Sequence, residues 1–188
     1  MPADMDATAE LAPQTVEYEA YQELPLPGRY ELNPVRFVLE PSIRALRLPV
    51  VRGRFTARRG HLVLGDVSEL ALDVDAGSLR TNVAGLAGTL RKEGGLCAAA
   101  YPAIRFHSTD VLALPDRSIE VVGRIEVLDA ARDVRLTGKL SCADEFAVVV
   151  WVTGVLPPPR RQFEHGRWIA QVLGERPIHL ELAAEFVR

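Results

Sequence analysis

Between Ser118 and Leu128 the residues separate, position by position, into two rows. Ile119, Val121, Gly123, Ile125 and Val127 make an apolar row, and Ser118, Glu120, Arg124 and Glu126 lie opposite. Successive side chains of a strand project to opposite faces, so this segment reads as a strand with one dry side and one wet side. Glu69–Asp75 repeats the pattern, with Leu70, Leu72 and Val74 against Glu69, Asp73 and Asp75. So does the end of the chain, where Ile178, Leu180, Leu182, Ala184 and Phe186 alternate with His179, Glu181, Ala183 and Glu185. A two-residue period recurring along most of a chain requires one shared interior for all its dry rows. What fills that interior decides what the protein does.

The same signal predicts strands near 29–39, 50–58, 61–65, 69–76, 103–113, 117–128, 132–142, 145–155 and 176–187. Short polar turns are expected at Arg59-Gly60, Gly65-Asp66, Pro115-Asp116 and Ala143-Asp144. About eight strands in meander order make an all-β fold, an antiparallel barrel or sandwich. Two segments interrupt the period. Ser78–Ala100 is rich in Gly and Ala, with Val83, Leu86 and Leu90 at helical spacing, which predicts a short helix followed by a Gly94-Gly95 loop. Pro157–Trp168 is a loop carrying Phe163, His165 and Trp168. Residues 1–27 read as a flexible tail ending in Leu24-Pro25-Leu26-Pro27-Gly28, with the folded domain over 28–188.

At 188 residues the chain is long enough for one well-cored domain. A formal charge of −3 and a pI near 5.8 lack the basic surplus of a general nucleic-acid binder. Two cysteines, Cys97 and Cys142, are too few for a disulfide scaffold. Met1–Gln14 carries Asp4, Asp6 and Glu10 without an apolar run, unlike a secretory signal, and no segment is apolar enough to span a bilayer. A cytoplasmic location is therefore expected, unless a presequence has been removed; peripheral membrane contact stays open.

No catalytic or metal-binding constellation emerges. Arg44, Arg47, Arg52, Arg54, Arg58 and Arg59 form the densest charge feature, suited to a lipid pyrophosphate or an anionic membrane. Yet Arg52 and Arg54 alternate with Val51, Gly53 and Phe55, so a solvated strand face is the favoured reading. His61, His107, His165 and His179 have no partner at metal-ligand spacing. His107 and Ser108 are adjacent strand residues facing opposite ways, which spoils a dyad. Asp73 and Asp75 share a face opposite the apolar row and read as exterior carboxylates. Cys97 lies in a small-residue loop and Cys142 at a strand end.

A set of landmarks carries a family resemblance. Gly28-Arg29-Tyr30-Glu31-Leu32 opens the first strand, and Val51-Arg52-Gly53-Arg54-Phe55 precedes Gly60-His61-Leu62. Asp75-Ala76-Gly77-Ser78-Leu79-Arg80-Thr81 follows, then Tyr101-Pro102-Ala103-Ile104-Arg105-Phe106-His107-Ser108, then Val122-Gly123. In this order they resemble the YceI-like family of lipocalin-like, polyisoprenoid-binding proteins, most specifically in the Ser-x-x-Thr and Tyr-Pro-x-Ile-x-Phe-x-Ser segments. The likeness is good over residues 28–142. The chain departs from the pattern at Leu86–Arg91, where only Leu90 and Arg91 match, at Gly95–Ala100, and at Ile125–Ala131.

The resemblance implies a lipocalin-like barrel of about eight strands, with a short insertion near 78–100, holding an elongated apolar molecule such as an isoprenoid or quinone tail. With no catalytic constellation among the residues, a binder without a cofactor is expected. An eight-stranded barrel is wide enough either to be filled by its own side chains or to hold one small ligand. The inward rows are mostly Val, Leu, Ile, Ala and Gly, with Phe37, Phe55, Phe106, Phe146 and Phe186 as their large members. The expected ligand contacts are Phe37, Phe55, Leu72, Phe106, Val121, Ile125, Val148 and Leu180. Two rivals stand beside a carrier. One is a packed barrel working as an interaction module through the tail and loop 157–168. The other is an enzyme acting on an apolar substrate through Thr137, Ser108 and His107.

Overall fold

The alternating segments become strands, and their dry rows meet. The computed structural model describes residues 25–45, 48–144, 146–157 and 176–188. Its elements are β1 (Gly28–Ala45), β2 (Leu48–Arg54), β3 (Ala57–Leu64), β4 (Glu69–Asp75), a 3₁₀ turn (Ala76–Ser78) and β5 (Arg80–Thr81). Then come α1 (Leu86–Arg91), β6 (Ala103–Ala113), β7 (Ser118–Val127), β8 (Ala130–Asp144), β9 (Ala147–Leu156) and β10 (Ile178–Val187). All pairings are antiparallel. The order β1-β3-β4-β6-β7-β8-β9-β10 closes on itself where β1 pairs with β10, from Glu31↔Val187 to Ile43↔Ile178. This is the lipocalin-like, eight-stranded barrel.

The long first strand makes the barrel asymmetric. Its first half pairs with β3, from Gly28↔Leu64 to Glu31↔His61, and its second half pairs with β2, from Ser42↔Arg52. The change of partner falls where the β1–β10 register shifts, between Leu32 and Phe37. Pro34 lies in that gap and has no N–H to give a ladder. Asn33 ties the kink down: its Nδ2 donates to Glu185 Oε1 (2.8 Å) and its Oδ1 accepts from the Val35 N–H (3.2 Å). Beyond the kink, β2 runs along β1 and pairs on its other edge with β5, Gly53↔Thr81 and Arg54↔Arg80.

Three sequence expectations are corrected. Arg59-Gly60 is no turn: Gly60 sits inside β3 opposite Leu72, and since β2 and β3 both run antiparallel to β1, the chain reverses earlier, between β1 and β2. The glycine serves close packing, since a Cβ there would stand 2.7 Å from both the Ala71 carbonyl oxygen and Leu72 Cδ2. Val83 precedes α1 and is exposed, so only Leu86 and Leu90 of the helical trio turn toward the core. Phe146, taken for an inward residue, occupies the β8–β9 turn and is 58% exposed, because a reversal breaks the two-residue period.

The interior is wholly apolar: among the described residues no polar or charged side chain is buried. The outer face carries the charge as cross-strand pairs, such as Arg59–Asp73 (2.7 Å), Arg135–Glu120 (2.7 Å) and Arg124–Asp133 (3.2 Å). Arg44, Arg52, Arg54 and Arg58 are exposed alongside Arg59, as the wet-face reading expects; Arg47 lies outside the described residues.

Candidate ligand-binding site

The dry rows differ in depth. At one end of the barrel they stop short of filling it and leave a cavity of about 190 Å³. The barrel strands that line it do so with residues near their ends on that side: Leu39 and Ile43 from β1, Ile104 from β6, Ile125 and Val127 from β7, Leu156 from β9, and Ile178 and Leu180 from β10, with Phe55 between β2 and β3. The next inward positions, Phe37, Phe106, Val152 and Leu182, are buried and do not reach it. Below them Tyr30, Leu62, Leu70, Ile119, Val121, Leu140, Val148, Val150 and Phe186 are essentially inaccessible and fill the barrel. The barrel is hollow at one end and packed through the rest.

A lid stands over the hollow end. It consists of β2, β5, the 3₁₀ turn and α1, and it contributes Val51, Gly53, Leu79, Thr81 and Leu90 to the lining. Local chemistry sets its shape. Asp75 caps the 3₁₀ turn through Oδ1, which accepts from the Gly77 N–H (2.9 Å). Ser78 Oγ accepts from the Thr56 N–H (2.9 Å) and donates to the Asp75 carbonyl (2.6 Å). Asn82 extends the β2–β5 ladder with its side chain: Oδ1 accepts from the Arg52 N–H (2.7 Å) and Nδ2 donates to the Val50 carbonyl (3.3 Å). Arg91 Nη1 donates to the Gly77 carbonyl (3.1 Å) and ties α1 down. In the Ser-x-x-Thr segment, Ser78 pins the turn while Leu79 and Thr81 line the cavity.

The polar lining is sparse. Ser42, Thr81 and Arg132 are its polar members, and Arg132 is the one charged side chain there among the described residues. Arg132 belongs to the first turn-proximal stretch of β8, and its Nη1 donates to the Pro157 carbonyl (3.1 Å). The chemistry available is therefore apolar burial, with a polar fringe.

Of the eight expected contacts, Phe55, Ile125 and Leu180 line the cavity. Phe37, Leu72, Phe106, Val121 and Val148 are buried in the packed part and do not. Leu39, Ile43, Leu79, Ile104, Leu156 and Ile178 were not anticipated. Apart from Leu79, which follows the 3₁₀ turn, their signal was position at the lid-side end of a strand, which becomes visible only once strand directions are known.

The groups weighed for catalysis do not converge. His107 and Thr137 are exposed on the outer face. Ser108 Oγ accepts the Leu70 N–H (2.8 Å) on β4, beside the point in β6 where its register with β7 shifts between Ser108 and Asp110. Asp73 lies between Arg59 and Arg105 (2.7 and 4.0 Å). His61 contacts Glu69 (3.2 Å). Cys97 and Cys142 are not joined, and burial pushes the Cys142 thiol up, against a smaller pull from the Arg117 charge. Among the described residues no three His, Cys, Asp or Glu side chains gather as metal ligands, and no helix is long and apolar enough to cross a membrane. His165 lies outside the described residues. So do nearly all of the tail and of loop 157–168, on which the interaction-module reading depends.

Comparison with known proteins agrees with the geometry. The sequence matches the YceI-like domain profile over residues 30–186. No curated protein is significantly similar in sequence. BcnA of Burkholderia cenocepacia has a similar structure, with a TM-score of 0.63 at 14% identity, covering 82% of this chain and 98% of that one. A polyisoprenoid-binding domain from Saccharophagus degradans, implicated in plant cell wall breakdown, gives 0.55 at 12% identity, over 84% and 97%. The Campylobacter jejuni YceI protein gives 0.56 at 15% identity, over 78% and 90%. At these identities the likeness speaks for the fold.

Proposed function

This chain belongs to the YceI-like family, and from that premise we propose that it carries the apolar part of an isoprenoid, quinone or similar amphiphile in the hollow end of its barrel, without converting it. The observation that carries the reading is the cavity of about 190 Å³ walled by Leu, Ile, Val and Phe side chains beneath a lid. Such a space stays dry when empty and rewards an apolar guest. At ~0.8 kcal/mol per buried CH₂, one isoprene unit contributes about 3–4 kcal/mol before the costs of binding. The tail then dominates affinity, and the polar fringe at Ser42, Thr81 and Arg132 tunes it. The similarity to a domain described as polyisoprenoid-binding supports this ligand class. The proposal places the carrier in the cytoplasm, with cell fractionation as the check.

The test is uptake of geraniol followed by native mass spectrometry, with circular dichroism to verify the fold. One geraniol per chain is expected. Leu180→Trp and Ile125→Trp, which place an indole in the cavity, should each abolish uptake while the β-sheet signal persists. A folded wild-type protein that takes up no prenol, and arrives with none when purified from its own host, would overturn the proposal.

A further inference from the structure

Cavity depth, taken together with the carrier reading on which this inference rests, sets a limit on chain length. We propose that the protein is a short-tail binder: it accommodates between one and two isoprene units, and a longer chain leaves its remainder outside the barrel. Three observations lead there. First, the cavity is about 190 Å³. An apolar cavity of ~150 Å³ holds one benzene, so the space here suits a group of roughly six to ten carbons.

Second, the hollow has a floor. Phe106 is paired with Ile125, and its ring leans into the space that a side chain at Gly123 would take: Cζ and Cε2 lie 2.6 and 2.8 Å from the position of a Cβ there. Ile125 lines the cavity, and Gly123 is the next inward residue along β7. The aromatic ring therefore crosses beneath the guest. Phe37 and Leu182, on neighbouring β1 and β10, are buried and lie outside the lining, Leu182 directly opposite the lining residue Leu39.

Third, the far end is sealed. Tyr30 is 1% exposed, and its hydroxyl donates to the Leu26 carbonyl (2.6 Å). The Arg188 guanidinium lies 4.9 Å from the Tyr30 ring centroid and donates to the Pro27 carbonyl. Among the described residues these contacts close that end over the packed interior. A protein interior packed to this degree does not yield volume without side-chain loss.

Binding of a homologous series tests the limit: isopentenol, geraniol, farnesol and geranylgeraniol, each titrated by fluorescence displacement at matched free concentration. Affinity should rise more than tenfold from five to ten carbons, then change less than threefold from ten to twenty. In Phe106→Ala, or in Leu182→Ala should that variant fail to fold, the plateau should move out to fifteen carbons. A tenfold gain per unit continuing to twenty carbons in the wild type would overturn the length limit while leaving the carrier reading intact. A plateau that stays at ten carbons in the folded variants would overturn the floor assigned to Phe106 and Leu182. Binding of no member of the series would overturn the carrier reading and this inference with it.

Discussion

A β-carbon at Gly123 would stand 2.6 Å from the His107 carbonyl oxygen and 2.6 Å from Phe106 Cζ. Neither neighbour can yield easily, one being backbone and the other a packed ring. Gly123→Ala is therefore expected to cost ~1–3 kcal/mol, read as a lower urea midpoint with an unchanged slope. Two titratable residues make predictions of their own. The Cys142 thiol titrates above its ordinary 9.0, so alkylation of the folded protein by iodoacetamide at that site should be slow at pH 7 and accelerate only above about pH 9. Asp116 is held below its ordinary 3.8, first by the Ser118 hydroxyl and then by the Ser118 N–H. A depressed carboxylate stabilises the fold above its unfolded value and loses that contribution as pH falls through the folded one. Asp116→Asn should thus flatten the acid limb of a Tm-against-pH curve, slightly, since the group is fully exposed.

Among the elements, the lid is the one held by few bonds. β2 and β5 share two paired positions, and Ser78, Asn82 and Arg91 supply side-chain bonds around them. Ser78→Ala leaves the Thr56 N–H without its acceptor, at a cost of ~1–2 kcal/mol. That loss should appear as faster amide exchange at residues 52–56 and 80–82, with little change in the barrel strands β7–β10, because the lid opens as a local unit. The kink in β1 has the opposite character. Pro34 and the Asn33–Glu185 bond fix the point where one strand stops serving β3 and begins serving β2. The two-residue period changes phase there, from Tyr30 and Leu32 inward to Phe37 and Leu39 inward, which marks the irregularity but not the change of partner.

For the whole molecule, a guest bound only to the folded barrel adds RT ln(1 + [L]/Kd) to stability. A ligand at a hundred times its Kd adds ~2.7 kcal/mol, which for a chain of this size raises Tm by roughly 5–10 °C. Geraniol should produce that shift in the wild type and none in Leu180→Trp, as differential scanning calorimetry would record. Because the far half of the barrel is already packed, stability without ligand should remain high. The protein can then exist empty and filled.

The sequence by itself determined direction. Two-residue alternation says which side chains point inward, as for Ile119, Val121 and Ile125, and the wet rows reappear outside as the Arg59–Asp73 and Arg135–Glu120 pairs. The ordered landmarks from Gly28 to Gly123 were enough to point to the family. Depth was decided only by tertiary structure. Phe55 and Phe106 sit in equivalent inward rows, yet one lines the hollow and the other floors it. The difference depends on how far along the barrel axis each strand places its residues, and on which glycine or aromatic faces them from a strand distant in sequence. Volume is filled jointly by all eight strands, so no single segment carries the information that one end of the interior stays open.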